Sequence, residues 1–152
     1  MTTHSYRTDL TWTGATGVGY AAYPRAHRVE APPATASLEL SADPHFRGAA
    51  ELLNPEQLVV AAASSCQLLS FLAVAARAGV DVVGYADHAV GTMDLRDAPI
   101  RIGAIALDVT VTVAPGTDHA LVHRLAEEAH GQCYIANSLR SDVTLALTVV
   151  DA

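Results

Sequence analysis

The spacing of hydrophobic positions changes twice along the chain, and the changes mark its elements. Residues 6–12 and 18–23 alternate apolar and polar side chains around Gly14 and Gly17, which predicts two short strands. Pro24, Pro32 and Pro33 interrupt the next stretch, which reads as loop or sheet edge. Thr35 to Ser41 alternates again, with Leu38 and Leu40 on one face. The opening third is therefore expected to be a meander of antiparallel strands. The period then becomes helical. Asn54 can cap, Pro55 suits a first helical position and Gln57 completes a capping box, so a helix should run to about Ala78 and stop at Gly79. It is apolar nearly all round and must be covered on nearly every side.

Alternation resumes at Val80 to Met93, as one strand bent near Gly84 and Gly91. Ile105, Leu107, Val109, Val111 and Val113 alternate with Ala106, Asp108, Thr110 and Thr112, the pattern of a half-buried strand. Pro115-Gly116 turns the chain into a second helix from about Asp118 to Cys133. Its Leu121, Leu125, Ala129 and Cys133 share a face. A last strand spans Val143 to Val149. Strands, helix, strands, helix, strand is an α+β order, and residues 1–152 are expected to form a single domain.

Composition adds an assembly to this picture. Hydrophobic residues make up 51% of the chain, enough for a core, but charged residues only 16%, few for a monomer that must cover itself. Some apolar surface is expected to be buried against a second copy. A net charge of −7 with no Lys/Arg cluster argues against nucleic acid and anionic membrane surfaces as partners. Leu58 to Ala76 has the length and apolarity of a membrane span, yet it carries Ser64, Ser65, Gln67 and Ser70 between amphipathic strands. It reads as a core helix. Met1 to Leu10 contain no apolar signal region, so a cytoplasmic chain is expected. There a lasting structural disulfide is uncommon, which leaves catalysis, redox sensing or inert burial for Cys66 and Cys133.

Each cysteine lies on a core-facing helix surface. Inert packing is the default for a buried cysteine. Cys66 sits in mid-helix, away from the positive end of its own helix dipole, so a reactive Cys66 is expected to need a cation from elsewhere. An ordinary thiol has a pKa of about 8.5, and lowering it by two units takes roughly 2.7 kcal/mol. An arginine is a suitable source because it stays charged. His130 and Cys133 at i and i+3, with Glu127, make a weak metal pattern without further ligands. Gly14, Gly17 and Gly19 make no phosphate loop, since no helix with a P-loop lysine follows. No metal or cofactor is called for.

Two motifs narrow the choice. Asn54-Pro55-Glu56-Gln57-Leu58 with Ser65-Cys66, and Glu127-Glu128-Ala129-His130 with Cys133-Tyr134-Ile135-Ala136-Asn137-Ser138, resemble the OsmC/Ohr family of peroxiredoxin-like proteins. The element order is similar over essentially the whole chain. The resemblance implies antiparallel sheets wrapped around a long central helix, in an intertwined homodimer with two active sites at its interface. It implies a peroxidatic Cys66, a resolving Cys133 and reduction of organic hydroperoxides, with dithiols such as lipoylated proteins as reductants. It pairs the first cysteine with a glutamate, matched by Glu56, and an arginine, for which Arg47 in Pro44-His45-Phe46-Arg47-Gly48 fits the OsmC-type position. Arg7, Arg25 and Arg28 are the other candidates. The glycine-rich arginine motif of the Ohr branch is missing, which favours the OsmC-like branch. Gln67 departs from the aromatic or histidine neighbours common in the family. Ten helical residues rise about 15 Å, so Glu56 would act on Cys66 through a guanidinium between them. Leu58, Val59, Leu69, Phe71 and Leu72 are candidate apolar walls for a greasy substrate. Two other readings stay open: a non-catalytic dimer that binds an apolar ligand, and a slow thiol redox sensor.

Overall fold

The computed structural model describes residues 3–152, so Met1 and Thr2 of the Met1–Leu10 stretch lie outside the described residues. The described residues form two compact units, one up to residue 58 and the other residues 59–152.

The first unit is a three-stranded antiparallel sheet, β1 (Asp9–Thr11), β2 (His27–Glu30) and β3 (Ser37–Leu40), with β2 in the middle. The meander is as expected, but its members differ. Residues 18–23 are not a strand. Arg25 donates to the carbonyls of Tyr20 and Tyr23 and lies 3.8 Å from the centre of the Tyr23 ring, so these residues are tied into a local turn. The central strand lies instead in the stretch read as loop or edge, because Pro24 and Pro32 flank β2 rather than interrupt it. After β3, Pro44–Phe46 form a 3₁₀ turn capped by Asp43, whose carboxylate accepts from the His45 N–H at 2.7 Å. Gly48 closes this loop: a Cβ there would lie 1.6 Å from the Ala42 carbonyl oxygen.

α1 (Pro55–Arg77) begins in the first unit, and the second unit packs its remainder, from Val59, and α2 (His119–Gly131) with a second sheet of β4 (Val82–Met93), β5 (Ile102–Val113) and β6 (Asp142–Asp151). The capping box at the start of α1 forms reciprocally. Asn54 Oδ1 accepts from the Gln57 N–H at 2.8 Å, and Gln57 Oε1 accepts from the Asn54 N–H at 3.0 Å. Gly79, at φ 72°, ends the helix with Val80 N–H bonded to Ala75 and Gly79 N–H to Ala76. β4 is one long strand with register shifts at Val82/Gly84 and Thr92/Met93, close to the expected bends. Ile105, Leu107, Val109, Val111 and Val113 are all buried, and Ala106, Asp108 and Thr110 are exposed, as the alternation required.

β4 and β5 are antiparallel, but β5 and β6 are parallel, which corrects the expectation of purely antiparallel sheets. The physical reason is the helical connection between them, long enough to return the chain to the same end of the sheet. α1 turns Ala63, Gln67, Phe71, Val74 and Ala75 inward. Gly91 allows a close approach there, since a Cβ would meet Val60 Cγ2 at 2.5 Å. The opposite face of α1 is not covered within one chain: Leu69 is 64% exposed.

Candidate active site

The second helix ends earlier than its apolar stripe suggested. α2 stops at Gly131, where the Gln132 N–H bonds back to Glu128 and Ala129. Cys133 does not end α2. It caps a separate short helix, α3 (Tyr134–Ser138), and its Sγ accepts from the Ala136 N–H at 3.5 Å. Cysteine is not among the usual capping residues, and the helix start was hidden for that reason. Asn137 and Ser138 finish the turn by donating to the Gly131 and Tyr134 carbonyls, at 3.1 and 2.7 Å.

This turn brings the start of α3 to Cys66. Both cysteines are free, Cys66 partly exposed and Cys133 buried. Burial acts most strongly on Cys66 and would raise its pKa. The nearby Ile135 N–H, Cys133 thiol, Tyr134 N–H and Ser70 hydroxyl oppose this, and the thiol ends below its ordinary range. Cys133 moves the other way. Burial pushes it up, hydrogen bonds from the Ala136 and Ile135 N–H groups oppose this, and its bond to Cys66 and the charge there add to the rise. The two neighbouring thiols are thus shifted in opposite directions, Cys66 down and Cys133 up. Sequence reasoning required a cation for Cys66. The backbone amides at the start of α3 do part of that work, and no side-chain pattern could reveal them.

Around the pair lies a polar layer whose members Gln67 and His130 were noted in the sequence, but not the bond between them. Gln67 is 1% exposed, and its Nε2 donates to the Ala126 carbonyl at 3.3 Å. Its Oε1 lies 3.2 Å from His130 Nδ1, and His130 Nε2 lies 3.0 Å from the Val143 carbonyl oxygen. Ser64 donates to Asp87 Oδ2. Asp87 Oδ1 and the Tyr85 hydroxyl are buried without a hydrogen-bond partner among the described residues. Burial, with the charges of Asp87 and Cys133 nearby, pushes the Tyr85 phenol upwards. Of the expected apolar walls, Phe71 is instead a core residue, 1% exposed, with its ring 6.1 Å from that of Tyr85.

Arg47 and Glu56 belong to the first unit. Arg47 follows the 3₁₀ turn at φ 67°, the only described non-glycine residue with positive φ, and is exposed. Its guanidinium lies 5.9 Å from the Tyr20 ring. The other three arginines are engaged: Arg7 with Asp9, Arg28 with Glu30 and Glu39, and Arg25 with the two tyrosine carbonyls. Glu56 stands in the first turn of α1, and its Oε2 is buried without a hydrogen-bond partner among the described residues.

The family model for OsmC-like proteins matches residues 48–148, a stretch that contains both cysteines and both motifs. The chain belongs to the OsmC-like family. Among solved structures, an OsmC-like protein of unknown function from Vibrio cholerae is similar with a TM-score of 0.87 at 26% identity, covering 96% of this chain and 100% of its own. The organic hydroperoxide resistance protein OsmC of Legionella pneumophila gives 0.69 at 17% identity, with 98% of each chain covered. The organic hydroperoxide resistance protein OhrB of Bacillus subtilis gives 0.62 at 18% identity, covering 97% of this chain and 98% of its own. At these identities the last two show the shared fold, the α+β architecture expected from the sequence. No curated protein matches the chain significantly.

Proposed function

We propose that this OsmC-like chain is a cytoplasmic thiol peroxidase that reduces organic hydroperoxides. What carries the proposal is the unequal pair at the start of α3: a partly exposed thiol shifted below its ordinary pKa, beside a buried second thiol shifted above it. In this reading the Cys66 thiolate attacks the O–O bond. The sulfur takes one oxygen as sulfenic acid, and the alkoxide leaves and takes up a proton as the alcohol. The Cys133 thiol then displaces water from the sulfenic acid, and the Cys66–Cys133 disulfide forms. A dithiol, such as a lipoylated protein, reduces the disulfide and is itself oxidised. The hydroperoxide resistance named for the Legionella and Bacillus relatives supports this substrate class. The test is an intact-mass and free-thiol count after one equivalent of tert-butyl hydroperoxide. Rapid loss of both thiols within one chain is expected. Survival of both at the rate of a free thiol would favour a ligand-binding dimer with packed cysteines.

Arg47 is the cation of this proposal, and Glu56 the carboxylate that aims it. Two observations support the pairing. Arg47 stands outside the ion pairs that occupy Arg7 and Arg28, on a left-handed residue in a loop closed by Gly48. Such backbone is retained where a side chain must be presented. Glu56 carries a buried, unpartnered oxygen, which a guanidinium would satisfy. Arg47→Ala is expected to slow Cys66 oxidation by about 100-fold, the size of effect seen when one charge-stabilising donor is removed. An unchanged rate in stopped-flow kinetics would move the role to Arg7, Arg25 or Arg28.

The active unit of this proposal is a homodimer. Leu69 and Leu72 are 64% and 38% exposed on α1, and an apolar helix face of this kind calls for a cover. Sedimentation at micromolar concentration should give a dimer, and Leu69→Asp with Leu72→Asp should give monomers of reduced activity. A wild-type monomer would sink the interface model.

A further inference from the structure

We infer that Gln67 and His130 form a positioning device for closure of the Cys66–Cys133 disulfide, an inference that rests on the proposed pairing of these two sulfurs. Gln67 is the residue after Cys66 on α1, and His130 lies three residues before Cys133 at the end of α2. The side chains join the two segments that carry the cysteines. The polarity of the link is fixed at both ends by backbone carbonyls, which only accept. Ala126 O accepts from Gln67 Nε2 at 3.3 Å, which turns Gln67 Oε1 towards His130 Nδ1 at 3.2 Å. Val143 O, on β6, faces His130 Nε2 at 3.0 Å. The ring makes one of its two bonds as a neutral imidazole and both as an imidazolium.

Burial explains why this link would hold so firmly. A glutamine 1% exposed to solvent has no water to replace a lost partner, so rotating α1 or sliding α2 would strand its amide. The same face of α1 carries Ala63, Phe71, Val74 and Ala75, all buried apolar residues. Any of these could slip by a fraction of a turn at small cost, because apolar contacts are not directional. The amide and the imidazole are directional. They fix the rotation of α1 about its axis, and hence where Cys66 points, relative to the α2 end from which Cys133 emerges. A disulfide tolerates only a narrow range of Cα separation, so a small gain in registration is felt directly in the closure step.

The device can be tested without any peroxide. Reduced protein is equilibrated with mixtures of reduced and oxidised dithiothreitol, and the equilibrium constant for forming the Cys66–Cys133 disulfide is measured. Gln67→Met keeps length and removes both amide bonds, and His130→Phe keeps the ring plane without nitrogens. Each should lower the constant roughly fivefold to tenfold, the worth of a buried hydrogen bond. His130→Asn places an amide nitrogen near the Nδ1 position and can still donate to Gln67, so it should remain within about twofold of wild type. His130→Gln reaches instead towards Val143 and should resemble His130→Phe. A residue that only stabilised the fold would lower the melting temperature of the reduced and oxidised forms together. A positioning residue narrows the gap between them.

Constants equal to wild type in Gln67→Met and His130→Phe would overturn the inference, and so would Asn and Gln variants that behave alike. A wild-type protein that ignores tert-butyl hydroperoxide but shows the expected variant pattern would end the peroxidase reading and leave the positioning role standing.

Discussion

Cys66→Ser is expected to abolish the rapid reaction with organic hydroperoxide, with both remaining steps lost along with the first. The reason lies in which sulfur is the thiolate. Cys66 alone has the Tyr134 amide, the Ser70 hydroxyl and a neighbouring thiol acting to lower its pKa, whereas Cys133 is raised by Cys66. A serine hydroxyl at this position does not ionise near neutral pH and has no sulfur to accept an oxygen. Cys133 cannot replace it, because burial holds that thiol protonated. The fall in rate should therefore reach the background of an unactivated buried thiol. Cys133→Ser gives the contrast. The first step should persist, a sulfenic acid on Cys66 should be trapped by dimedone, and no intrachain disulfide should appear. The pH profile carries a sign as well. Thiolate is the reactive form, so the rate of Cys66 oxidation should rise with pH and level off below the ordinary thiol pKa of about 8.5. In Cys133→Ala the curve should move to higher pH, since a group that lowers the Cys66 pKa is then gone. Stopped-flow mixing across pH 5–9 separates these outcomes. A profile that keeps rising through the ordinary thiol range would contradict the lowered Cys66.

Phe71→Ala should produce the largest loss of stability of the residues discussed, about 3–5 kcal/mol. Phe71 is 1% exposed and is held between α1 and β4, where its ring lies 6.1 Å from that of Tyr85. Truncation removes the apolar area and leaves a cavity that Tyr85, pinned in β4, cannot fill. Small domains have about 5–15 kcal/mol in total, so the variant would be close to unfolding. Urea denaturation of the reduced protein measures the effect. Substrate preference in whatever folds should not change, because Phe71 belongs to the core and not to an apolar wall around the thiols. Leu69, 64% exposed in the chain, gives the control. In a monomer Leu69→Ala should cost no more than about 0.5 kcal/mol. A larger loss that grows as the protein is diluted would place Leu69 in the proposed dimer contact.

Much of the fold was legible because it rests on local rules. Asn54, Pro55, Gln57 and Gly79 bounded α1 through capping chemistry that acts within a few residues. The alternation from Ile105 to Val113 gave β5 and its buried face, because side chains on a strand point to opposite sides by covalent geometry alone. The motifs around Cys66 and Cys133 pointed to the family that the match over residues 48–148 shows. The readings that failed depended on contacts that the alternation of apolar and polar positions does not encode. Residues 18–23 alternate like a strand, but Arg25 holds the carbonyls of Tyr20 and Tyr23 in a turn. The stretch around His27 carries prolines on both sides, yet it pairs with both neighbouring strands.

The site divides in the same way. The sequence by itself determined which atoms could react: two thiols, the residues flanking them and a capped helix to carry the first. Tertiary structure decided how they differ. Cys66 and Cys133 have the same intrinsic chemistry, and nothing in their neighbours along the chain makes one the thiolate. The difference comes from backbone N–H groups at the start of α3 and from the depth at which each sulfur is buried. Backbone donors are identical in every residue except proline, so a sequence cannot mark which of them will point at a sulfur. The same holds for Gln67 and His130, 63 residues apart, which meet only because α1 and α2 share one core.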